Sequence, residues 1–286
     1  MKFLAVFLAA GVSAFGASAQ LMNLVMPDAK VVAGLNVTTA KASPLGQYLI
    51  KQLPNGFPSI PGFDPLNDVT EILAASVAAP GAPTGLLMMA GTFDPLQIIQ
   101  PSWTVSQYDG ATLVTFPKGG AAAFLGTTIA IAGDPASVKA AIDRSGGANV
   151  TALDPDLAAQ VASLSASNDA WIASIASPAA LFPSSTPNQA AQAMQFLAAV
   201  QSFNASVKFD QTVPITVNLV ADSPQNAEAL GNVAKLLVSM AGSNGPPALQ
   251  NLQVNVSGTT AQFVLTIPES QIEEMLAPKA KKPAAN

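Results

Sequence analysis

Residues 126–145, GTTIAIAGDPASVKAAIDRS, combine the patterns of a β-strand, a tight turn and an α-helix in one short stretch. The first part alternates β-branched and small apolar residues, which favours a strand. Gly133 ends the strand, Asp134 has the side chain of a helix N-cap, and Pro135 suits the first helical position. An apolar stripe along the helix consists of Val138, Ala141 and Ile142. The stretch therefore predicts a strand followed by a helix that packs back on its own sheet.

A second stretch near the end of the chain repeats this pattern. Residues 258–276, GTTAQFVLTIPESQIEEML, share the Gly-Thr-Thr opening, the apolar strand and a Pro near the start of a short amphipathic helix. The patterns between follow the same order in both halves, and Asp109-Gly110 in the first half predicts a hairpin turn. The sequence therefore predicts an α+β fold with two similar β-α-β-β-α-β-β-α repeats. These repeats are expected to form mainly antiparallel sheets with helices packed on one face.

Composition excludes several functional classes. Half of the 286 residues are apolar and 10% are charged, which supports a substantial core. The net charge of −5 and the pI near 4.6 argue against nucleic acid as a partner, because phosphate binding needs clustered Lys and Arg. Cys and His are absent, which excludes disulfides, thiolate nucleophiles, imidazole bases and zinc sites with N or S ligands. The lipid anchor of bacterial lipoproteins also requires a Cys.

The first 19 residues have the pattern of a secretory signal peptide. Lys2 is a minimal positive region, residues 3–10 are apolar, and Ala17-Ser18-Ala19 is a small-residue cleavage pattern. The alternative is an N-terminal core helix, but the run has no polar face. No later stretch reaches about 18 uninterrupted apolar residues, so no transmembrane segment is predicted in the mature chain. We therefore expect a secreted or periplasmic protein that begins at Gln20.

The mature chain is predicted to contain two repeats joined by a connector. The boundaries are residues 1–19 for the signal peptide, 20–148 for the first α+β repeat, 149–167 for the connector, 168–277 for the second α+β repeat and 278–286 for a disordered tail. The tail is rich in Pro, Ala and Lys, as is typical of a solvated terminus. The connector contains one helix, which is predicted to begin at Asp154-Pro155.

Four aspartates stand directly before a proline, namely Asp64, Asp94, Asp134 and Asp154. A carboxylate at this position accepts orphan N–H groups at a helix start, and proline has no N–H to lose. We interpret these residues as helix caps, with catalysis as the alternative. Asp64, Asp68 and Glu71 could together supply oxygens to Ca²⁺, but the spacing of a calcium-binding loop is missing. Solvated side chains on one helical turn are the simpler interpretation.

No nucleophile or phosphate-loop motif occurs, and the sequence predicts no catalytic, cofactor-binding or metal-binding residues and no cofactor. The glycosylation pattern Asn-x-Ser/Thr occurs four times, at Asn36, Asn149, Asn204 and Asn255. About two matches are expected by chance in a chain this rich in Ser, Thr and Asn, so we assign these positions no function. Several aromatic residues fall in or beside predicted strands, where core packing is the default and a stacking platform for sugar or peptide is the alternative. They are Trp103, Tyr108, Trp171, Phe203 and Phe209.

The motif Gly133-Asp134-Pro135, followed by Val138, Ala141 and Ile142, resembles that of uncharacterised secreted bacterial proteins of the domain-of-unknown-function kind. Such proteins carry a signal peptide, an internal duplication and strands that lead into Gly-Asp-Pro-x-x-Val-x-x-Ala-Ile helices. The resemblance implies an exported location and a duplicated α+β fold over most of the mature chain. It transfers no catalytic or binding residues.

These patterns favour an exported, non-catalytic module that binds a partner protein or an apolar ligand. A groove between the two halves is the expected site. Two alternatives stay open, a carboxylate-based hydrolase of the cell envelope and an envelope scaffolding protein. Two acidic side chains that face each other in one cleft would favour the hydrolase, and the oligomeric state would help to identify a scaffold.

Overall fold

A computed structural model of the chain describes residues 17–52, 60–77, 84–147, 152–181, 197–241, 250–268 and 271. Its described part is built around one antiparallel sheet of twelve strands, with helices packed against it. The α+β class predicted from the sequence is confirmed. The first sixteen residues of the proposed signal peptide and the tail 278–286 lie outside the described residues.

Antiparallel pairing connects all of the described strands. In chain order they are β1 (Val31–Asn36), β2 (Val69–Ser76), β3 (Gly85–Gly91), β4 (Thr104–Tyr108), β5 (Ala111–Thr115), β6 (Ala121–Leu125), β7 (Ile129–Gly133), β8 (Ala170–Ser174), β9 (Val200–Val207), β10 (Thr212–Ala221), β11 (Gln253–Ser257) and β12 (Thr260–Pro268). Across the sheet their order is β11-β12-β10-β9-β8-β1-β2-β3-β7-β6-β5-β4. The two edges are therefore β11 and β4.

The hairpins at both edges are closed by tight turns. Asp109 and Gly110 have φ values of 44° and 79° and join β4 to β5, so the predicted hairpin is confirmed. Gly258, with φ of 55°, opens the turn between β11 and β12. Glycine and a few polar residues adopt such angles without much strain, so these positions fix the register of the edge hairpins.

The helices are short, apart from the last. Those in the described ranges are α1 (Ala19–Met22), α2 (Val37–Ala42), α3 (Pro44–Gln52), α4 (Pro65–Asp68), α5 (Pro95–Ile98), α6 (Pro135–Ser145), α7 (Pro155–Ser165), α8 (Pro178–Leu181) and α9 (Pro224–Ala241). α6 begins after the Asp134 cap and ends at Gly146, as its sequence predicts. Within the part of the chain that the structure describes, no helix is long and apolar enough to span a bilayer.

Helices cover both faces of the sheet. In β7, Ala130 and Ile131 are neighbours and therefore point to opposite faces. Ile131 belongs to the core cluster that contains the apolar stripe of α6, whereas Ala130 packs with Phe93 and with Ile98 of α5. We call the side with α6 the first face and the side with α5 the second face. α7 packs on the first face through Leu157, which shares the α6 cluster.

α9 lies on the second face, directly behind β11. A Cβ placed on Gly231 of α9 would come within 2.7 Å of Val256 and 3.4 Å of Val254. Asn255 lies between these valines in the strand and therefore points to the first face. Other apolar residues of α9 are buried against β10 and β12. The absence of a side chain at Gly231 thus allows the helix to approach the edge strand closely.

The structure corrects three details of the predicted architecture. The expected separate sheets are one sheet, because β1 and β8 pair directly, with Val32 opposite Ala173. This pairing removes two edges that would otherwise expose unpaired peptide groups. The helices lie on both faces rather than one, and the β-α-β-β-α-β-β-α order is not found, since β4 to β7 follow one another without a helix. The helix expected at 270–276 lies outside the described residues, apart from Gln271.

The segment after the proposed cleavage position is part of the main core. Leu21 and Leu24 are at most 1% exposed. Arg144 of α6 donates hydrogen bonds from Nε and Nη2 to the Leu24 carbonyl oxygen, at 3.3 and 2.7 Å. Ser18, which lies before the proposed cleavage position, caps α1 and donates its N–H to Glu71 Oε1 at 3.0 Å, so cleavage after Ala19 would remove these two contacts. This segment, which the sequence marks only as an apolar lead-in, is thus fixed by both apolar packing and hydrogen bonds.

Candidate functional site

The four aspartates that precede prolines all cap helices, so the capping interpretation is confirmed. Each accepts a backbone N–H from the first turn of its own helix. The donors are Leu66 to Asp64 at 3.0 Å, Leu96 to Asp94 at 3.1 Å, Ser137 to Asp134 at 2.9 Å and Asp156 to Asp154 at 3.0 Å. These carboxylates belong to four different helix starts, so a hydrolase would have to rely on other acidic residues.

Asp134 shows how such a cap is held in its charged form. Burial of the carboxyl group opposes ionisation, but hydrogen bonds from Ser137 and from the Ala136 N–H outweigh it and lower the pKa of Asp134 below its ordinary value of 3.8. Oδ2 of Asp134 is buried without a hydrogen-bond partner within the described residues. The positive end of the α6 dipole also favours the ionised carboxylate. The residue therefore acts as a structural anion.

Asp64, Asp68 and Glu71 do not converge on one point. The Asp64 N–H donates to Asp68 Oδ2 at 2.7 Å, so these two residues close the first turn of α4. Asn67 donates to Asp64 at 2.7 Å and is the main cause that lowers the pKa of Asp64. Glu71 instead accepts the Ser18 N–H. Among the described residues, no group of three or more His, Cys, Asp or Glu residues is placed to hold a metal ion.

A partly open cavity of about 210 Å³ lies on the second face, between the sheet and helices α2, α3 and α4. Its wall is mostly apolar and includes Leu35, Val37, Ile50, Leu66, Ile72 and Phe209. Lys41 is the one charged residue among the described residues that line it. We call this space the lysine cavity. An apolar space with one polar group suits a ligand that has an apolar body and a polar end.

The turn from α2 into α3 builds one side of the lysine cavity. Asn36, one of the Asn-x-Ser/Thr matches, caps α2 by accepting the Thr39 N–H at 2.9 Å. Ser43 accepts the Gly46 N–H at 2.9 Å and so stabilises the start of α3. A Cβ on Gly46 would overlap the Ala40 carbonyl oxygen, so glycine is required where the two helices meet. These local contacts hold both helices beside β1 and β2.

Lys41 connects two walls of the lysine cavity. Its Nζ donates to the Leu66 carbonyl oxygen at 2.8 Å, which ties α2 to α4. An ammonium group has three donors, and this contact uses one of them. The aliphatic stem of a lysine can line an apolar wall while the charge remains accessible. A carboxylate placed beside Nζ would therefore gain a charge-assisted hydrogen bond without displacing the bond to Leu66.

A smaller cavity of about 120 Å³ lies on the same face, beside α5, and aromatic rings form much of its wall. We call it the aromatic cavity. The Phe93 ring centroid lies 6.1 Å from that of Phe63 and 6.3 Å from that of Phe124. Trp103 packs edge-on against Phe116 at 5.0 Å. These are ordinary packing geometries for aromatic pairs. All of the described lining residues are apolar, so this cavity offers no polar group to orient a ligand.

The five aromatic residues singled out from the sequence all pack in or against a core cluster, Tyr108 among them, which confirms core packing. Trp171 is 7% exposed and lies so close to Gly34 that a Cβ there would overlap its ring. Phe203 packs in the cluster beneath α9. Phe209 lines the lysine cavity, and Trp103 lines the aromatic cavity. Sequence reasoning did not single out Lys41, whose role depends on residues distant in the chain.

A row of side-chain amides crosses the first face in the second half of the sheet. Asn255 donates to Gln262 at 3.4 Å, and Gln262 donates to Asn218 at 3.1 Å. Asn218 donates to Asn204 at 2.7 Å, and Asn204 donates to Gln160 of α7 at 3.3 Å. We call these five residues the amide row. The signal in the sequence was an Asn or Gln on the same face of four neighbouring strands, which becomes visible only once the register is known.

Comparison with known proteins concerns the fold alone. No protein-family model matches the sequence, and no curated protein matches it. Among solved structures, a crystal form of TP0453 aligns with a TM-score of 0.53 at 11% sequence identity, over 89% of this chain and 95% of that chain. The chain is therefore similar to TP0453 in its α+β architecture.

Proposed function

We propose that the chain is an exported, non-catalytic module that binds a small amphiphile in the lysine cavity. The observation that carries the proposal is the combination of an apolar wall with the Lys41 ammonium. Ligand sites are typically apolar with a few polar groups that orient the ligand. The aromatic cavity lacks such a group in its described lining, so it is the weaker candidate. The hydrolase alternative is weakened because its four Asp-Pro carboxylates cap helices.

The volume of the lysine cavity sets the size of the ligand. A cavity of about 150 Å³ binds benzene, so 210 Å³ provides room for about eight heavy atoms. The Lys41 ammonium favours an anionic head group. The proposed ligand class is therefore a carboxylate with a short or medium alkyl chain. Octanoate is a suitable probe, because its alkyl chain fills the cavity while its carboxylate lies beside Lys41.

A series of linear carboxylates tests the size limit by isothermal titration calorimetry on the protein as purified. Each buried methylene contributes about 0.8 kcal/mol, which is about a fourfold gain in affinity. The affinity should rise by about this factor per carbon until the cavity is full, and then level off. A steady rise from butyrate to dodecanoate without a plateau would indicate binding to an open surface and would contradict the proposal.

Two substitutions separate the contribution of the charge from that of the volume. Lys41→Met keeps an apolar stem, so the protein should still bind octanol but lose its preference for octanoate. Ala40→Leu fills part of the cavity and should weaken the binding of both probes. Lys208→Met removes an exposed lysine outside the cavity and is the matched control. Octanoate binding that is equally tight in Lys41→Met and in the wild type would refute the assignment of Lys41.

Export and internal duplication are parts of the same proposal. Export is supported by Lys2, the apolar residues 3–10 and the small-residue pattern at Ala17-Ser18-Ala19. It also agrees with the resemblance to secreted bacterial proteins. Duplication is supported by the strand order, since β7 lies three strands outward from β1 and β12 lies three strands outward from β8, on the two sides of the central β1–β8 pair. These are the strands that follow the two Gly-Thr-Thr openings, at Gly126 and Gly258.

A further inference from the structure

The edge strand β11 lacks the features that normally prevent edge pairing. Four of its five residues are exposed, and its sequence, QVNVS, contains neither a charge nor a proline. Proteins usually block sheet edges with such residues. The other edge, β4, is also uncharged, but its Tyr108 donates to Asp143 at 3.4 Å and lies 5.2 Å from Lys139. Neither edge strand thus carries a charge or a proline of its own, and β11 differs from β4 in the row of side-chain amides that ends at Asn255.

The backbone of β11 is self-complementary about Asn255. A two-residue turn joins Ser257 to Thr260, so the peptide groups of Ser257 and Asn255 point towards β12 and those of Val254 and Val256 point outward. If a second copy aligns antiparallel about Asn255, Val254 of each copy lies opposite Val256 of the other copy. All five residues of each strand are then paired, which no other centre achieves. The two Asn255 residues face each other as a non-hydrogen-bonded pair, in which side chains lie closest.

The amide row ends at Asn255, and the same alignment continues it. Asn255 uses its Nδ2 to donate to Gln262, and its side chain is exposed at the edge. In the pair, each Asn255 gains the amide of the other copy as a neighbour, with both donors and acceptors available. The row would then run from α7 of one copy to α7 of the other. Polar pairs directly opposite each other on neighbouring strands contribute to their pairing, so this Asn–Asn pair favours the register centred on Asn255.

Apolar surface on the second face also remains exposed near this edge. Val256 of β11 is 36% exposed, while Leu236 and Met240 of α9 are 57% and 73% exposed. Leu236 and Met240 are four residues apart and lie on the same side of α9, opposite Ala227 and Gly231, so they point away from the sheet. α9 lies directly behind β11. A second copy paired at β11 would bring the same side chains from its own α9 to this side of the sheet.

We propose that two copies of this chain associate through β11, antiparallel and about a two-fold axis at Asn255, so that the two sheets become continuous. The interface is isologous, because the same strand is used by both copies. It closes on itself and leaves β4 free. The proposal is independent of the ligand in the lysine cavity, since it rests on the edge strand and the amide row.

A cysteine cross-link tests the register directly, because the chain has no natural Cys. In a non-hydrogen-bonded antiparallel pair the Cα atoms lie about 4.5 Å apart, which is within the range of a disulfide. Asn255→Cys should therefore form a covalent dimer in oxidised glutathione. Ser106→Cys, at the centre of the other edge strand, is the matched control and should stay monomeric. Equal cross-linking of both variants, or cross-linking of Ser106→Cys alone, would overturn the proposal.

Charge substitutions test the same contact by sedimentation velocity. The wild type should sediment as a dimer, and Asn255→Lys and Asn255→Asp should each weaken the association by up to about fivefold, since like charges then face each other. An equimolar mixture of the two variants should regain the dimer, which also shows that both are folded. Ser106→Lys should leave the dimer intact. A monomeric wild type, or a mixture that fails to associate although both variants unfold in urea at the wild-type midpoint, would refute the pairing.

Discussion

Replacing Arg144 by Met tests whether one buried guanidinium fixes the N-terminal segment to α6. Arg144 is 8% exposed, and its two hydrogen bonds reach the carbonyl oxygen of Leu24, which is 1% exposed. In the variant this oxygen loses a charged donor at a site that water does not reach readily. Hydrogen bonds to charged groups contribute about 1.5–3 kcal/mol each.

The expected loss lies towards the lower part of that range. Both hydrogen bonds share one acceptor, so their contributions do not simply add. Burial lowers the pKa of Arg144, because the charged guanidinium is less stable away from water. This cost offsets part of the stabilisation that the two hydrogen bonds provide. Met retains apolar contacts of the arginine stem. We therefore expect Arg144→Met to reduce the free energy of unfolding by about 2 kcal/mol.

Equilibrium urea unfolding, followed by tryptophan fluorescence, provides the measurement. The midpoint should fall while the m-value stays the same, because the surface exposed on unfolding hardly changes. Lys118→Met removes the same charge from an exposed turn and should change stability by less than about 0.5 kcal/mol. If Arg144→Met costs no more than this control, the contact does not fix the segment.

Two further predictions concern the cap of α6 and the N-terminus. Asp134→Ala should lower the free energy of unfolding by about 1 kcal/mol, because the Ser137 N–H loses its acceptor, while Asp134→Asn should lose less. The folded-state pKa of Asp134 lies below 3.8, so the stabilisation by this carboxylate is present above pH 3.8 and is lost as the pH falls through the folded-state pKa. The free energies of unfolding of the wild type and Asp134→Ala should therefore converge in acid, and a difference that persists there would contradict the prediction. Intact-mass measurement of the exported protein should show a chain that begins at Gln20, and retention of residues 1–19 would exclude the proposed cleavage.

Local features of the fold could be predicted because their causes are local. The caps at the four Asp-Pro pairs depend on residues within one helical turn. The turn at Asp109-Gly110 likewise depends on two residues that tolerate positive φ. The sequence of α6 combines an N-cap, an apolar stripe and a glycine at the C-terminal end, so both ends of this helix were predicted correctly. Each of these elements is determined by neighbours in the chain.

The pairing of β1 with β8 could not be predicted in this way. Val32 and Ala173 are opposite each other, although more than a hundred residues separate them in the chain. Nothing in either strand identifies its partner, since both are short and apolar. One signal for two covered faces was present in β3, where successive apolar residues replace alternation and Met88 is fully buried. An uninterrupted apolar run of this kind is typical of a strand that is covered on both faces, in agreement with helices on both sides of the sheet.

The candidate site was less accessible to sequence reasoning than the fold. Lys41, Leu66 and Phe209 line one cavity but come from α2, α4 and the turn after β9. Such a site is produced by tertiary packing, and no spacing rule connects its members. The amide row has the same origin, because Asn204 and Asn255 matched a glycosylation pattern that says nothing about their register.

The lysine cavity and the β11 edge can be tested separately because they lie far apart. Most of the cavity lies over β1 and β2, and β11 is the fifth strand from β1, or about 24 Å at strand spacing, whereas Phe209 extends the cavity wall to the turn between β9 and β10. Substitutions this distant, with no shared partner, usually have additive effects. Lys41→Met should therefore leave the dimer intact, and Asn255→Lys should leave octanoate affinity unchanged. If octanoate instead alters the dimerisation constant, the two equilibria are linked. The element placed to link them is α3, whose Leu45 packs against Val213 of β10 and Ile267 of β12.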